Sequence, residues 1–335
     1  MAQVRARNGR IRQAGFMSAW PAYLVTVVVA AAAVYSFAPR AYPTAPVTQV
    51  HPQDLLVTQL AHRGSRWLSA GEQGRILVAE KPEGPWSEAR VEPQRASNFN
   101  DVLFVSDQVV LAAGHESWIV RSEDGGRSWK EVLFDAERSE PILALAGPYD
   151  GTLFAIGGFG QFLTSTDEGR SWQRVTHEAM SDFHLNDMTR LGDGTLIIVG
   201  ERGLLAASCD GGRSWARLPE IYAGSYFGAL ALEDNGLLVY GMRGNAFVTR
   251  DRHTWIQADV PGKISLFGGV VDDDGAIILV GENETVLRSA DGGQHFQIAV
   301  GGERNRLTAV QPMEGEGWLV AGESGIGTRR PGGRS

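Results

Sequence analysis

A short apolar run that ends in glycine recurs seven times along this chain, and this repeat limits the possible folds more than any other feature. The runs read S-A-G-E-Q-G, A-A-G-H-E-S, A-I-G-G-F-G, I-V-G-E-R-G, V-Y-G-M-R-G, L-V-G-E-N-E and V-A-G-E-S-G. Successive key glycines are 43, 43, 43, 41, 40 and 41 residues apart, at Gly71, Gly114, Gly157, Gly200, Gly241, Gly281 and Gly322. Such a period indicates a repeat architecture in which one supersecondary unit is used many times.

Each unit contains four short runs with the composition of strands. In the third copy they read I-L-A-L-A, T-L-F-A-I, Q-F-L-T-S and S-W-Q-R-V, bounded by Gly, Asp and Asn. Four strands in roughly 40 residues are typical of a propeller blade, whereas β-helices have shorter periods. The sequence therefore predicts an all-β, seven-bladed β-propeller over residues 47–330, with a C-terminal tail at 331–335.

The last copy supplies only three strands before the chain leaves the repeat at G-I-G-T-R-R. Residues near Pro46–Val50 precede the four strands of the first copy. We expect this N-terminal segment to add the missing strand to the last blade, because that pairing would remove an open sheet edge.

A second motif, S-x-D-x-G-x-[ST]-W, follows the key glycine in four copies, and it is the Asp-box pattern. It stands at Ser122–Trp129, Ser165–Trp172, Ser208–Trp215 and Ser289–Phe296. The fifth copy, Thr249–Trp255, is one residue shorter, and the first keeps only Trp86. The Asp can accept N–H bonds in a tight turn, the Gly supplies a positive φ, and the ring can pack between blades. We predict a structural role for Asp124, Trp129, Asp167, Trp172, Asp210, Trp215, Asp291 and Phe296.

The N-terminal region predicts a membrane-spanning signal-anchor helix over residues 19–38. Residues 20–38 carry no charge, four arginines precede them and Arg40 follows. The positive-inside rule would keep a basic segment, residues 1–18, in the cytoplasm, and residues 39–46 read as a Pro-rich linker. The expected protein is single-pass in the inner membrane, in contact with the lipid bilayer, with its propeller in the periplasm. A cleaved signal peptide, which would leave a soluble periplasmic protein, is the alternative.

Composition excludes several classes of protein. The single cysteine, Cys209, rules out a disulfide framework and a thiolate metal site. The formal net charge of −8 argues against nucleic acid as a main partner. His177 and His184 are more typical of solvated or hydrogen-bonded groups than of a metal clip. No catalytic motif stands out, so we expect no catalytic residues, cofactor or metal.

The Asp-box turns and G-x-x-G hairpins on a seven-bladed propeller resemble the photosystem II stability/assembly factor family over residues 45–330. The resemblance implies a non-enzymatic lumenal or periplasmic scaffold that docks onto a membrane protein complex or helps to assemble it. Relatives in non-photosynthetic proteobacteria are commonly encoded beside RND-type exporters. The excess of 28 Arg over 3 Lys favours such a bacterium, so an RND-type transporter is the expected partner. A photosystem II assembly factor proper is an alternative.

A sialidase-like Asp-box glycosidase is the alternative from another class, because sialidases share both propeller and Asp-box. Their site needs three arginines around a carboxylate, for which Arg202, Arg243 and Arg329 are candidates. A Tyr–Glu nucleophile pair cannot be placed in this sequence.

The face that carries the G-x-x-G turns is the predicted partner-binding face, because its residues vary from blade to blade while the Asp-box turns repeat. Loops on a rigid scaffold commonly carry function, and aromatic and Arg side chains commonly anchor interfaces. We expect Arg202 and Arg243 to converge on an acidic patch, with Tyr226 and Phe227 as the apolar anchor. The predicted set is Arg202, Arg243, Tyr226, Phe227, Phe159, Phe183, Phe267 and Glu201.

Overall fold

A computed structural model describes residues 20–37, 51, 55–302, 304–315 and 317–331. The chain divides into two compact units, residues 1–49 and 50–335, and each is described by itself. In the first unit one helix, α1, spans Trp20–Phe37. The segments predicted at 1–18 and 39–46, the closing strand predicted near Pro46–Val50 and most of the tail lie outside the described residues.

The predicted helix is present, but its predicted role requires a correction. Within the described part of the chain, no helix is both long and apolar enough to cross a membrane.

The second unit is a seven-bladed β-propeller, as predicted. Five blades are simple sheets of four antiparallel strands, the second blade has a fifth strand, and the seventh shows three among the described residues. The strands of the first three blades are β1 (Val57–Arg63), β2 (Arg66–Gly71), β3 (Ile76–Ala79) and β4 (Ser87–Glu88); β5 (Arg90–Glu92), β6 (Phe99–Phe104), β7 (Val110–Gly114), β8 (Ile119–Ser122) and β9 (Ser128–Leu133); β10 (Ile142–Tyr149), β11 (Thr152–Gly157), β12 (Phe162–Ser165) and β13 (Gln173–Arg174). Those of the other four are β14 (Leu185–Arg190), β15 (Leu196–Gly200), β16 (Leu205–Ser208) and β17 (Ala216–Arg217); β18 (Tyr226–Ala231), β19 (Leu237–Gly241), β20 (Ala246–Thr249) and β21 (Trp255–Gln257); β22 (Leu266–Val271), β23 (Ile277–Gly281), β24 (Val286–Ser289) and β25 (Gln297–Val300); β26 (Leu307–Pro312), β27 (Trp318–Gly322) and β28 (Gly325–Arg329).

The innermost strand of each blade, for example β6, contacts the innermost strands of both neighbouring blades. The ring closes between β26 and β1. Thr308 Oγ1 donates to the Val57 carbonyl at 2.7 Å, and Gln311 Nε2 donates to the Leu60 carbonyl at 3.2 Å. Side-chain bonds of the inner strands therefore join the seventh blade to the first.

The key glycines mark a close approach of two backbones. A Cβ on Gly114 would lie 2.0 Å from the Asn98 carbonyl oxygen, and one on Gly322 would lie 1.9 Å from that of Arg306. The Asn98 carbonyl also accepts the N–H of His115, the residue after the glycine, at 3.0 Å. The same contact recurs in all seven blades, so only glycine fits where the second strand turns away from the first.

The Asp-boxes form the predicted turns. In the third blade Asp167 Oδ1 accepts the Ser171 N–H at 3.0 Å and the Ser165 hydroxyl at 2.8 Å, while Oδ2 accepts the Ser171 hydroxyl at 2.6 Å. These bonds hold the pKa of Asp167 well below its usual range. Gly169 has φ +80°, and its α-carbon faces the side chain of Leu111 in the preceding blade.

The core lies mainly between adjacent blades rather than in one central mass. Trp129 is 1% exposed and belongs to a cluster with Leu68 of the first blade and Trp118 of the second. Its indole N–H donates to the Gly126 carbonyl at 2.8 Å, so the ring is fully buried without losing its polar partner.

Candidate binding face and central channel

The inner strands surround a central cavity of about 730 Å³. Each inner strand has a β-bulge just after its first residue, and the residue that follows the bulge holds the same register position in every blade. We call this set the waist ring. Its members are Gln59, Asp101, Ala144, Asp187, Gly228, Gly268 and Ala309.

The two carboxylates of the waist ring tie neighbouring blades together. Asp101 Oδ2 accepts the N–H of Leu145 in the next blade at 2.7 Å, and Oδ1 accepts that of Val102 at 2.8 Å. Asp187 repeats this arrangement with Ala229 at 2.9 Å and Met188 at 2.8 Å.

The asparagines that precede these aspartates add a second tie. Asn100 Nδ2 donates to the Ile142 carbonyl and Asn186 Nδ2 to the Tyr226 carbonyl, each at 2.7 Å. Neither aspartate was predicted from the sequence. The dipeptide Asn-Asp at equivalent positions of two repeats is the signal that could have found them.

Burial in the channel raises the pKa of Asp101 to about 6 and that of Asp187 to about 7, against the lowering effect of their backbone hydrogen bonds. The charge of Asp101 contributes to the increase at Asp187. A carboxyl whose pKa is higher in the folded than in the unfolded chain binds more protons when folded, so its ionisation opposes folding.

We therefore expect the propeller to lose stability as the pH rises from 5.5 to 7.5. The ordinary carboxyl pKa lies below this interval, and the waist-ring pKa values lie within it. The loss attributable to Asp187 is about 2 kcal/mol. Thermal unfolding of the chain and of Asp187→Asn at both pH values measures it. A wild-type chain that is equally stable at the two pH values, or a variant with the same pH dependence as the wild type, would contradict the expectation.

The pKa values of the Asp-box carboxyls are lowered, whereas those of the waist ring are raised. The Asp-box carboxyls nevertheless do not interfere with this measurement. The carboxyls of Asp167 and Asp210 titrate below their usual range because of bonds from Ser171 and Ser214, so their contribution is complete above about pH 5. Burial lowers the pKa of His177, which favours folding at the higher pH and works against the expected loss.

We call the surface formed by the turns after the key glycines the tip face. In six blades the second residue of this turn has a left-handed backbone although it is not glycine, with φ between 51° and 58°. L-residues adopt this conformation at a cost, and it is often found at functional sites. The six residues are Gln73, Glu116, Phe159, Arg202, Arg243 and Asn283.

An aromatic cluster lies on the tip face of the third and fourth blades. Phe159 is 65% exposed, and its ring meets that of His184 edge-on at 4.9 Å between centroids. The guanidinium groups of Arg202 and Arg217 lie 4.4 and 4.8 Å from the centre of the Phe183 ring. A large exposed aromatic beside two cations is a composition that suits an interface.

The two predicted arginines differ in their surroundings. Arg202 bonds the Asp182 carbonyl, lies 3.7 Å from the Glu201 carboxylate and packs on Phe183. Arg243 is exposed, and its guanidinium has no hydrogen-bond or ionic partner in the part of the chain described. Arg243 is therefore the arginine that is available to a partner.

Tyr226 needs a correction, because it was expected to be an apolar anchor of the partner-binding face and is fully buried. Its ring is 0% exposed and packs against Tyr222 and Phe247. Phe227, the next residue, points the other way, as alternation along a strand requires. Phe227 lines the channel, and its ring lies 5.3 Å from that of Phe267.

Glu201 also has a structural role, because its carboxylate holds the neighbouring loop, and its part in partner binding stays a prediction. Its Oε1 accepts the His184 N–H at 3.2 Å. Glu72, Glu282 and Glu323 make the equivalent bond in their blades. The recurrence of glutamate directly after the key glycine was the available signal.

The other residues singled out in the sequence have the following surroundings. The Arg329 guanidinium donates to Glu284 at 2.7 Å in a largely buried pair, and Arg202 is engaged as described, so two of the three arginines considered for a glycosidase already have partners.

Cys209 is exposed, with its sulfur 3.9 Å from Thr195 Oγ1. His177 packs against Phe162 and Trp215, whereas His184 packs against Phe159. In the described residues no group of three or more His, Cys, Asp or Glu side chains is placed to hold a metal ion.

Fold and site together define a seven-bladed Asp-box β-propeller with a polar channel and a varied tip face. No protein-family model matches the chain, and no curated protein matches it. Among solved structures, YCF48 bound to D1 peptide has a TM-score of 0.69 at 16% identity, covering 88% of this chain and all of that one. YCF48 from Cyanidioschyzon merolae has a TM-score of 0.67 at 15% identity, with 84% of this chain and 97% of that one covered.

A third solved structure has the same architecture. The WD40 β-propeller domain of Doa1 has a TM-score of 0.65 at 12% identity, covering 83% of this chain and 93% of that one. At these identities the likeness shows the fold alone.

Proposed function

We propose that this propeller is a non-enzymatic scaffold that binds a membrane protein complex through its tip face. The observation that carries the proposal is Phe159, a large aromatic side chain held 65% exposed on a left-handed turn. A single-domain monomer gains nothing in stability from such a side chain, whereas an interface does. The similarity to YCF48 bound to D1 peptide supports a segment of a membrane protein as the bound element.

The partner proposed is an RND-type exporter, and the propeller is proposed to act in the periplasm. The uncharged residues 20–38 after four arginines support export of the chain. The exposed Arg243 supports an acidic or carboxylate-bearing segment on the partner, since a guanidinium binds carboxylates in a bidentate manner. A photosystem II assembly role is the second candidate, which the YCF48 similarity favours.

Charge reversal and truncation on the tip face test the proposal. The double variant Phe159→Ser/Arg243→Glu should reduce recovery of the exporter from detergent-solubilised membranes. Its apparent affinity for the exporter should fall at least about 30-fold, which is the effect of losing one interface hot spot. Both side chains are exposed, so the melting temperature should stay unchanged. Binding is measured by pull-down with the tagged full chain, followed by titration of the purified partner.

Arg213→Glu is the matched control, because Arg213 is an exposed arginine of an Asp-box on the opposite face. It should leave recovery unchanged. If Arg213→Glu abolishes recovery while the double variant binds normally, the tip face is the wrong surface. A soluble D1-type peptide binding to the chain in place of the exporter would select the second candidate. Finding the propeller only in the cytosol would contradict both.

A further inference from the structure

In the fifth blade the waist-ring residue is a glycine, and a side chain from the next strand of that blade occupies the space beside it. Gly228 stands where Asp101 and Asp187 stand in their blades. A Cβ on Gly228 would lie 2.2 Å from the Tyr240 hydroxyl oxygen, so that hydroxyl occupies the place of the missing side chain. The tyrosine comes from β19 and reaches the channel over Gly228 and Gly269.

The Tyr240 hydroxyl makes no hydrogen bond that would support the fold of the described residues. The residue is 3% exposed and lines the channel, yet its hydroxyl has no hydrogen-bond partner among the described residues. Unlike the Tyr226 hydroxyl, which is fully buried without a partner, the Tyr240 hydroxyl keeps access to the channel, where a ligand can bond to it. Burial raises the pKa of Tyr240, and the charge of Asp187, in the neighbouring fourth blade, adds to this increase.

The carboxylates also retain capacity for a ligand. A carboxylate offers about four acceptor positions, and the two N–H bonds described at Asp187 use one on each oxygen. The other cations that face the cavity are at its ends and are neutralised, Arg306 by Glu323 at 2.7 Å and Arg63 by Asp107 at 2.6 Å. His62, which stacks on Trp67, lies beyond the waist near the Asp-box face.

Apolar side chains cover the channel on the tip-face side of the waist ring. Phe227 and Phe267 directly precede the waist residues of the fifth and sixth blades, and Leu143 precedes that of the third. The cavity thus presents acidic and hydroxyl oxygens at its waist and an aromatic wall immediately above.

We propose that the channel binds a small primary amine, with its ammonium group at Asp187, Tyr240 and Asp101 and its apolar arm against Phe227 and Phe267. An ammonium carries three donors and no acceptor, which matches a site of carboxylate and hydroxyl oxygens. The described residues do not bring three His, Cys, Asp or Glu side chains together, so the arrangement suits an organic cation rather than a directly ligated metal. Phe227 and Phe267 also belong to the predicted partner-binding set, but the amine site lies in the channel, apart from Phe159 and Arg243, and its test needs no partner.

The amine should bind the ionised carboxylates, so binding should weaken as the pH falls. With the pKa of Asp187 raised to about 7 and that of Asp101 to about 6, both are mostly neutral at pH 5.5. The other titratable groups facing the cavity are His62, Arg63, Tyr240, Arg306 and Glu323. His62 lies away from the waist, which limits its effect on binding there.

The experiment titrates the full chain with 2-phenylethylamine by isothermal calorimetry, with 2-phenylethanol as the uncharged analogue. The amine should bind at pH 8, bind at least about tenfold more weakly at pH 5.5, and release protons at pH 7 in phosphate and MOPS buffers. The alcohol should bind at least about tenfold more weakly than the amine at pH 8. Equal binding of amine and alcohol, or no binding of the amine at millimolar concentration, overturns the proposal.

Two variants separate a ligand site from a purely structural role. Tyr240→Phe removes a hydroxyl without an internal partner, so it should keep the fold and weaken the amine roughly fivefold, the value of one hydrogen bond. Asp187→Asn should weaken it more than tenfold and reduce the proton release. Asp234→Asn, at an exposed turn, is the control and should change neither. If Tyr240→Phe folds and binds the amine as tightly as the wild type, the proposed site is wrong even where Asp187→Asn fails to fold.

Discussion

Gly114→Ala is expected to destabilise the propeller by about 3 kcal/mol, although it adds a single methyl group. The new Cβ would lie 2.0 Å from the Asn98 carbonyl oxygen and 2.6 Å from the Phe99 α-carbon. Both are backbone atoms, so no side chain can swing aside to make room. Moving them would disturb the bond from His115 to Asn98 and the Phe99 ring stacked on Trp118 at 4.4 Å. Thermal unfolding should show a midpoint roughly 6 to 12 °C lower.

Gly301→Ala is the matched control, since it makes the same chemical change where there is room. There a Cβ would meet only the tip of the Ile298 side chain, at 3.3 Å, and the side chain of Thr285 at 3.9 Å. The free energy of unfolding should change by less than about 0.5 kcal/mol. Equal losses in the two variants would show that the key glycines are not needed for close backbone approach.

The glycine spacing was enough to predict seven blades, but not the reason for the glycine. The sequence shows that the residue recurs, while the contact with the preceding carbonyl involves two strands and becomes visible only in the folded blade. The Asp-box was predictable down to its hydrogen bonds, because its donors and acceptors lie within five residues of one another.

The positions of two predicted binding-face residues could have been worked out from local sequence rules. Tyr226 and Phe227 are neighbours on one strand, so they cannot both face the channel, and the larger apolar cluster with Tyr222 and Phe247 decides which one is buried. Glu201 could be recognised by its repetition after the key glycine. The place of Tyr240 could not be predicted in this way, because it reaches the channel from a second strand through a gap that Gly228 leaves.

The Asp-box aromatics were predicted as a uniform set, yet the structure gives them unequal burial. Trp129 is 1% exposed and Phe296 is 4% exposed, whereas Trp172 and Trp215 are only partly buried. The chain that leaves the preceding blade explains the difference. β5 runs parallel to β9 and pairs Val91 with Trp129, and Asp259 forms a parallel bridge with His295 beside Phe296. The outer connection of a blade thus covers the ring of the next one.

Trp129→Ala is therefore expected to lower the free energy of unfolding by about 4 kcal/mol, in the range for a fully buried tryptophan. The ring packs in one cluster with Leu68, Val91 and Trp118, so its removal leaves a cavity between two blades and the extra strand. It also leaves the Gly126 carbonyl without its indole donor. Chemical denaturation with a fluorescence readout from the remaining tryptophans, and thermal unfolding, both measure the loss.

Trp172→Ala makes the same substitution at the equivalent position of the next blade and serves as the control. Its ring is partly exposed and packs only beside the core of the second and third blades, and its indole nitrogen has no hydrogen-bond partner among the described residues. The expected loss is about 2 kcal/mol, because less apolar area leaves water on folding and no hydrogen bond is broken. Double substitution should be nearly additive, since the two rings belong to different clusters. Equal losses at Trp129 and Trp172 would mean that the covering strand β5 adds nothing to stability, and that the turn alone sets the value of its aromatic residue.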